Sequence, residues 1–256
     1  MRAAPAALVP LLALLACGAG QSPLASQPAP SGDLFDLSHA ALDAILRARV
    51  HAGQVDYSGL AEDREALDGY LAEAVAVPRG TFETWSESDR LAFLINAYNA
   101  RTLQLVIDHW PVDSIRDTDA LGNPWDHFTF PLLGEEVTLN GIEHRMIRPV
   151  FHEPRVHFAL VCAAVSCPPL RPRAWVGETL DADLEEATRA FLADPASNDL
   201  SDPAHPRLSA LFDWYGDDFA GAAGSVAAFI SEHSGLSIPD NAEIDFLDYD
   251  WNINSQ

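Results

Sequence analysis

The sequence predicts an α+β fold: a single domain of several helices packed on a small, mostly antiparallel sheet. Three observations lead there. Long stretches carry apolar residues at helical spacing, and short stretches alternate as half-buried strands do. The two kinds follow one another in mixed order, without the strand–helix–strand rhythm of a parallel sheet.

Taken in order, "LFDLSHAALDAILRARVHAG" places apolar residues at 37, 41, 42, 45, 46 and 50, a helical stripe that Gly53 ends. A short extended piece at "VDY" precedes a second helix marked by Leu67, Tyr70, Leu71 and Val75 and stopped by Pro78. "SESDRLAFLINAYNARTLQLVIDHW" is the strongest helix, with Ser86 as N-cap three residues before Asp89 and an end before Pro111. "FTFPLLGEEVTL" alternates about a Gly-Glu turn and reads as a hairpin. "NGIEHRMIRPVF" starts a short helix that Pro149 ends, and "RVHFALVC" has the length and content of a buried strand. "TLDADLEEATRAFLAD" is amphipathic, "RLSALFDWYGDDF" and "SVAAFISEHSG" add helices, and "AEIDFLDYDWNIN" alternates as a closing strand. Phe93, Leu94, Ile95, Leu105, Phe158, Leu160 and Phe191 are expected to share one core.

Ahead of this domain, residues 1–16 read as a lipoprotein-type signal peptide: one Arg, an apolar run too short to span a bilayer, then small residues. Leu14-Leu15-Ala16-Cys17 resembles the lipobox of bacterial lipoproteins, in which the cysteine is diacylated. The other reading is an ordinary secretory peptide cleaved elsewhere. No Asp follows Cys17, so the outer membrane, facing the periplasm, is the expected location, with lipidated Cys17 as the membrane contact. Residues 17–33, small, polar and Pro-rich, read as a disordered tether, which leaves 34–256 as a single globular domain.

Charge narrows the partners. The chain has 38 acidic residues against 15 basic ones, a formal net charge of −23, and every basic residue is Arg. Such a surface repels nucleic acid and other polyanions. Nothing in the sequence calls for a cofactor. A small-molecule or peptide ligand is the remaining partner class, its identity left open by the residues.

Four blocks, "FLINAYNARTLQLVIDHWPVDSIRD", "PWDHFTFPLLGEEVTLNGIEHRMIRPVF", "RVHFALVCAAVSCPPLRPRAW" and "LDYDWNIN", together resemble the domain-of-unknown-function family numbered 547, over roughly residues 55–254. The resemblance implies the domain and no activity, so the chemistry rests on the residues themselves.

With Cys17 lipidated, Cys162 and Cys167 are the remaining thiols. One reading is a disulfide. Five extended residues span roughly 16 Å, whereas a disulfide needs Cα atoms within about 7 Å, so "AAVS" would have to turn sharply. A zinc site lacks a second Cys or His pair at the usual spacing. The third reading is a nucleophile, which needs a base: His157, which a regular strand would point to the face opposite Cys162, or His144 from the short helix. Glu143 joins these as a catalytic candidate, although Asn140 three residues earlier explains it equally as half of a capping box. Asn96 and Asn99 lie on one face of an otherwise apolar helix, either clamping a nearby backbone or aiming donors into a binding pocket. Two functions follow. One is a thiol-dependent hydrolase or acyl-transfer enzyme on amide or ester bonds. The other is a non-catalytic binding or structural domain of the cell envelope, with Cys162 and Cys167 oxidised.

Overall fold

A computed structural model describes residues 35–256, and the expected signal peptide and tether lie outside the described residues. The fold is organised by the helix Glu87–His109, in which sixteen successive or near-successive residues from Leu91 to Ile107 are buried. Ser86 caps it as expected, its hydroxyl accepting from the Asp89 N–H at 3.1 Å. A helix buried on nearly every face needs neighbours all round. The helices Tyr57–Glu62 and Glu65–Ala76 cover one side, with Ala40–Arg49 packed on them, and residues 139–147 cover another.

The class is α+β, with the strands in three separate pairs rather than one sheet. Val50–His51 pairs antiparallel with Gln54–Val55, so the first helix stops at Arg49, short of the expected Gly53. Thr129–Leu132 pairs antiparallel with Glu135–Thr138. Its turn is Leu133-Gly134, one residue earlier than the sequence suggested, with both residues at positive φ, the two-residue geometry that suits a twisted hairpin. Arg207–Leu208 and Asp245–Phe246 run parallel.

Two expected strands take other forms. Pro154–Phe158 is a 3₁₀ turn, opened by Pro154 in its first positions and capped by the Glu153 carboxylate accepting from Arg155 N–H. Among the described residues, no strand pairs with residues 159–161, which follow it. The Asn99 side chain supplies that edge instead, donating from Nδ2 to Ala159 O at 2.9 Å and accepting from Val161 N–H at 2.9 Å. The closing segment is a strand only at Asp245–Phe246, and beyond it isolated bridges, Ser114↔Asn252, Ala164↔Ile253 and Val55↔Ser255, stitch it across three parts of the domain. Pro149 does not end the short helix either. Residues Ile142–Ile147 form a π-helical turn in which Arg148 N–H donates to Glu143 O, and a last α-helical turn, Arg148–Phe151, carries Pro149 near its start.

The seven expected core residues are all buried, but in two clusters rather than one. Phe93, Leu94, Ile95, Leu105 and Leu160 sit in the larger, while Phe158 and Phe191 join Phe212, Phe219 and Phe229 in a second. The helix Leu180–Ala193 explains the split. Its first half gives Leu180 and Leu184 to one cluster and its second half gives Phe191 and Leu192 to the other. Ala187 and Tyr249 pack against both, and Phe35–Gln256 forms one compact unit.

Candidate functional site

The sequence around Cys162 folds as a turn held at both ends. Upstream, Asn99 fixes Ala159 and Val161. Downstream, Ala163 takes a left-handed φ of 62°, its carbonyl accepts from Asn254 N–H at 3.0 Å, and Val165 N–H donates to Asn252 O at 2.8 Å. Cys167 N–H closes back onto Ala164 O at 3.1 Å. The sharp turn expected of "AAVS" is present, and Cys162 and Cys167 are both free.

Both cysteines border a cavity of about 520 Å³. Its polar groups include Glu143, His157, Tyr98, Tyr215 and Arg116, and its rim is aromatic, with Trp125, Trp214, Tyr249 and Trp251. Trp251 is central to that rim: it lies 5.5 Å from Trp125, 5.8 Å from Trp214 and 4.6 Å from Tyr249, ring centre to ring centre. Arg116 stands 4.5 Å over its face. An aromatic-lined cleft with a few converging polar groups is the usual form of a small-molecule or peptide-end site.

The two thiols are inequivalent. Cys162 is partly accessible and its sulfur lies 3.2 Å from the Tyr249 hydroxyl. Burial raises its pKa, but hydrogen bonds from the Cys167 thiol, the Tyr249 hydroxyl and the Ala164 N–H outweigh that and leave it below the ordinary thiol value. Cys167 is buried, accepts the Cys162 N–H on its sulfur at 2.7 Å, and is pushed well above the ordinary value by burial and by the neighbouring Cys162. Burial beside both sulfurs likewise keeps the Tyr249 phenol protonated, so it is a donor to a Cys162 thiolate.

Glu143 is no capping residue. Thr138 caps the short helix, accepting Gly141 N–H at 2.9 Å, and Asn140 donates to Asp126 at 2.8 Å. Glu143 is 4% exposed, its Oε1 has no hydrogen-bond partner among the described residues, and it faces His157 Nδ1 at 3.8 Å. The other ring nitrogen of His157, Nε2, lies 2.8 Å from Asp218 Oδ2. Tyr215 stacks on the imidazole, ring centres 3.7 Å apart. Arg148 grips Asp218 through both its carboxylate oxygens, at 2.6 and 2.9 Å. His157 and Arg148 together hold the Asp218 carboxyl far below its ordinary value. Neither nitrogen of His157 bonds the Cys162 sulfur, whose partner is Tyr249. His144 is exposed and turned to Arg148 at 2.8 Å, so it does not border the cavity.

Asn96 and Asn99 act as clamps and not as pocket donors. Asn96 donates to Trp175 O at 2.7 Å and accepts Trp175 N–H at 3.0 Å, as Asn99 does with Ala159 and Val161. Their amides are spent on backbone, and neither borders the cavity. Sequence reasoning missed Asp218, Arg148, Tyr215 and Tyr249. Tyr249 stood within the quoted "LDYDWNIN" block, while Asp218 in "YGDDF" looked like one more helix-surface acid in an acidic chain.

The fold and the site thus define an α+β domain that presents a cysteine and a glutamate–histidine pair to one aromatic-lined cavity, with Asp218 behind the imidazole and outside the cavity lining. Residues 82–192 match the family described as "Protein of unknown function, DUF547", which bears out the resemblance of the middle of the chain. The match takes in Glu143, His157, Cys162 and Cys167 and stops short of Tyr215, Asp218 and Tyr249. No curated protein and no solved structure matches the chain.

Proposed function

We propose that the cavity is the active site of a thiol-dependent hydrolase or acyl-transfer enzyme acting on amide or ester bonds, with Cys162 as nucleophile. One observation carries the reading. A free thiol held below its ordinary pKa borders the same cavity as Glu143, a buried carboxylate with an unpartnered oxygen among the described residues. Buried polar atoms are normally satisfied, so the unpartnered Glu143 Oε1 is open to a ligand's donor.

The chemistry follows from the placement. The Cys162 thiolate adds to the acyl carbon. As sulfur loses its charge, the Tyr249 O–H is released to donate to the carbonyl oxygen that gains it. The C–N or C–O bond breaks, and the leaving group takes a proton from the Glu143–His157 pair. Water then attacks the thioester, returns a proton to that pair, and the carboxylic product departs with the thiolate restored. Asp218, anchored by Arg148, fixes the imidazole so that Nδ1 faces Glu143. The same proposal sets the enzyme in the cell envelope, facing the periplasm on an acyl chain at Cys17. That part rests on Leu14-Leu15-Ala16-Cys17.

A panel of chromogenic esters and anilides tests the reading. Wild type is expected to turn over at least one class and to carry a Cys162 thioester on rapid quenching. Cys162→Ala should abolish turnover, and Glu143→Gln should lower it by about 100-fold or more. Turnover that survives Cys162→Ala would place the chemistry elsewhere.

A further inference from the structure

Cys167 supports the charge on Cys162 by a hydrogen bond, and the geometry of the pair also suits another reaction. The Cys167 sulfur accepts the Cys162 backbone N–H at 2.7 Å. One bond separates that nitrogen from the Cys162 Cα, and two separate the Cys167 sulfur from its own Cα. The two Cα atoms are therefore at most about 7 Å apart, within reach of a disulfide once the side chains rotate. The turn that brings them together is fastened by Asn99 before it and by Asn252 and Asn254 after it. The partners are thus pre-positioned without a bond between them. Their surroundings differ in the way a redox pair requires. Cys162 is partly accessible and hydrogen-bonded to Tyr249, whereas Cys167 is buried, 8% exposed, behind it. Cys162 is the more accessible of the two and meets an incoming reagent first, and Cys167 is placed to resolve the product.

We propose that Cys162 and Cys167 form a hydroperoxide-reactive dithiol, in which Cys162 is oxidised and Cys167 resolves it to a reversible intramolecular disulfide. In the first step the Cys162 thiolate attacks the terminal oxygen of a hydroperoxide. The S–O bond forms, the O–O bond breaks, and the alkoxide or hydroxide leaves and takes a proton from solvent, giving sulfenic acid and an alcohol or water. In the second, the Cys167 sulfur attacks the sulfenic sulfur, the S–O bond breaks, and hydroxide departs as water with the Cys167 proton. One hydroperoxide is reduced by two electrons and the two thiols supply them. A small-molecule or protein dithiol of the reductant class returns the pair to the starting state. The disulfide also removes the nucleophile of the acyl-transfer reading, but the proposal does not depend on that reading. An enzyme inert on every ester and anilide would leave it standing.

The test uses the full chain, reduced, desalted and treated with hydrogen peroxide, then alkylated and digested with trypsin. Both cysteines fall on one peptide, Val156–Arg173, because Arg171 precedes Pro172 and resists cleavage. The expected result is an unalkylated peptide that has lost two hydrogens and regains both alkylation sites after dithiothreitol. In Cys167→Ser, oxidation should stop at a dimedone-reactive sulfenic acid on Cys162 and pass to the sulfinic acid with more peroxide. Should that variant fail to fold by circular dichroism, Cys167→Ala replaces it, and the wild-type peptide decides on its own. Sulfenic or sulfinic acid on wild-type Cys162 with Cys167 still alkylatable overturns the proposal. So does full alkylation of both residues after peroxide.

Discussion

His39 is expected to make the domain acid-sensitive in a window set by its burial. The residue is 1% exposed and its Nδ1 lies 2.8 Å from the Tyr70 hydroxyl. Its Nε2 has no partner among the described residues, and Phe35 and Phe93 pack around the ring. Burial lowers its pKa from 6.5 to about 4, against a smaller upward pull from Asp36 and Asp89. In the unfolded chain the imidazole regains its ordinary value. As pH falls through 6.5, the unfolded state takes up the proton first, and the folded state follows only near 4. Stability from this group is therefore whole above pH 6.5, declines between 6.5 and 4, and levels off below. The gap in pKa corresponds to a loss of about 3 kcal/mol across that window. The perturbation is His39→Phe combined with Tyr70→Phe, so that no buried hydroxyl is left unpaired. Urea unfolding of both proteins at intervals from pH 7.5 to 4 gives a difference curve in which the shared carboxylates cancel. Wild type should lose about 3 kcal/mol more than the double variant, all of it between pH 6.5 and 4. Parallel curves would mean that His39 is protonated in the fold or solvated after all.

Asn99→Leu should destabilise the domain by about 3 kcal/mol or more, because it orphans the Ala159 carbonyl and the Val161 N–H in a buried place, and thermal melting with urea titration reads it. Tyr249→Phe should raise the pH midpoint of Cys162 alkylation by about one unit with the fold intact, since it removes one hydrogen bond to the thiolate. An unchanged midpoint would make the Tyr249 contact electrostatically idle. Cys17→Ser should move the protein from the membrane fraction to the soluble periplasmic fraction. A wild-type N-terminal peptide without an acyl mass would refute the lipobox.

The helices were legible where one face of local periodicity decided them. Leu91 to Ile107 and Leu180 to Leu192 are apolar at helical spacing, and Ser86 announced its cap. The failures share a cause. "RVHFALVC" has strand composition, but composition cannot show that the neighbouring edge is a side chain 60 residues upstream, the Asn99 amide acting on Ala159. Glu143 fitted a capping box three residues after Asn140, yet Thr138 holds the cap, which frees Glu143 to turn inward on a π-helical turn. Spacing identifies what a residue can do locally. It does not say which of two local donors wins.

The same limit governs the site. Cys162 and His157 were expected to clash in direction if both stood on a strand, and the 3₁₀ turn at Pro154–Phe158 removes that premise. Even so, the imidazole does not turn to the sulfur, because Asp218 and Glu143 occupy its two edges and Tyr215 covers its face. A thiol without a histidine needs some other support for its charge. It finds that support in the Cys167 thiol, the Tyr249 hydroxyl and the Ala164 N–H, groups supplied by its own turn and by the far end of the chain. Nucleophile activation and proton transfer are thereby separated within one cavity. Changing Tyr249 should act on thiol reactivity and on the carbonyl oxygen it stabilises, whereas changing Glu143 should act on leaving-group protonation and leave alkylation of Cys162 untouched. If Glu143→Gln shifted both together, the separation would be false and the histidine would belong to the thiol after all.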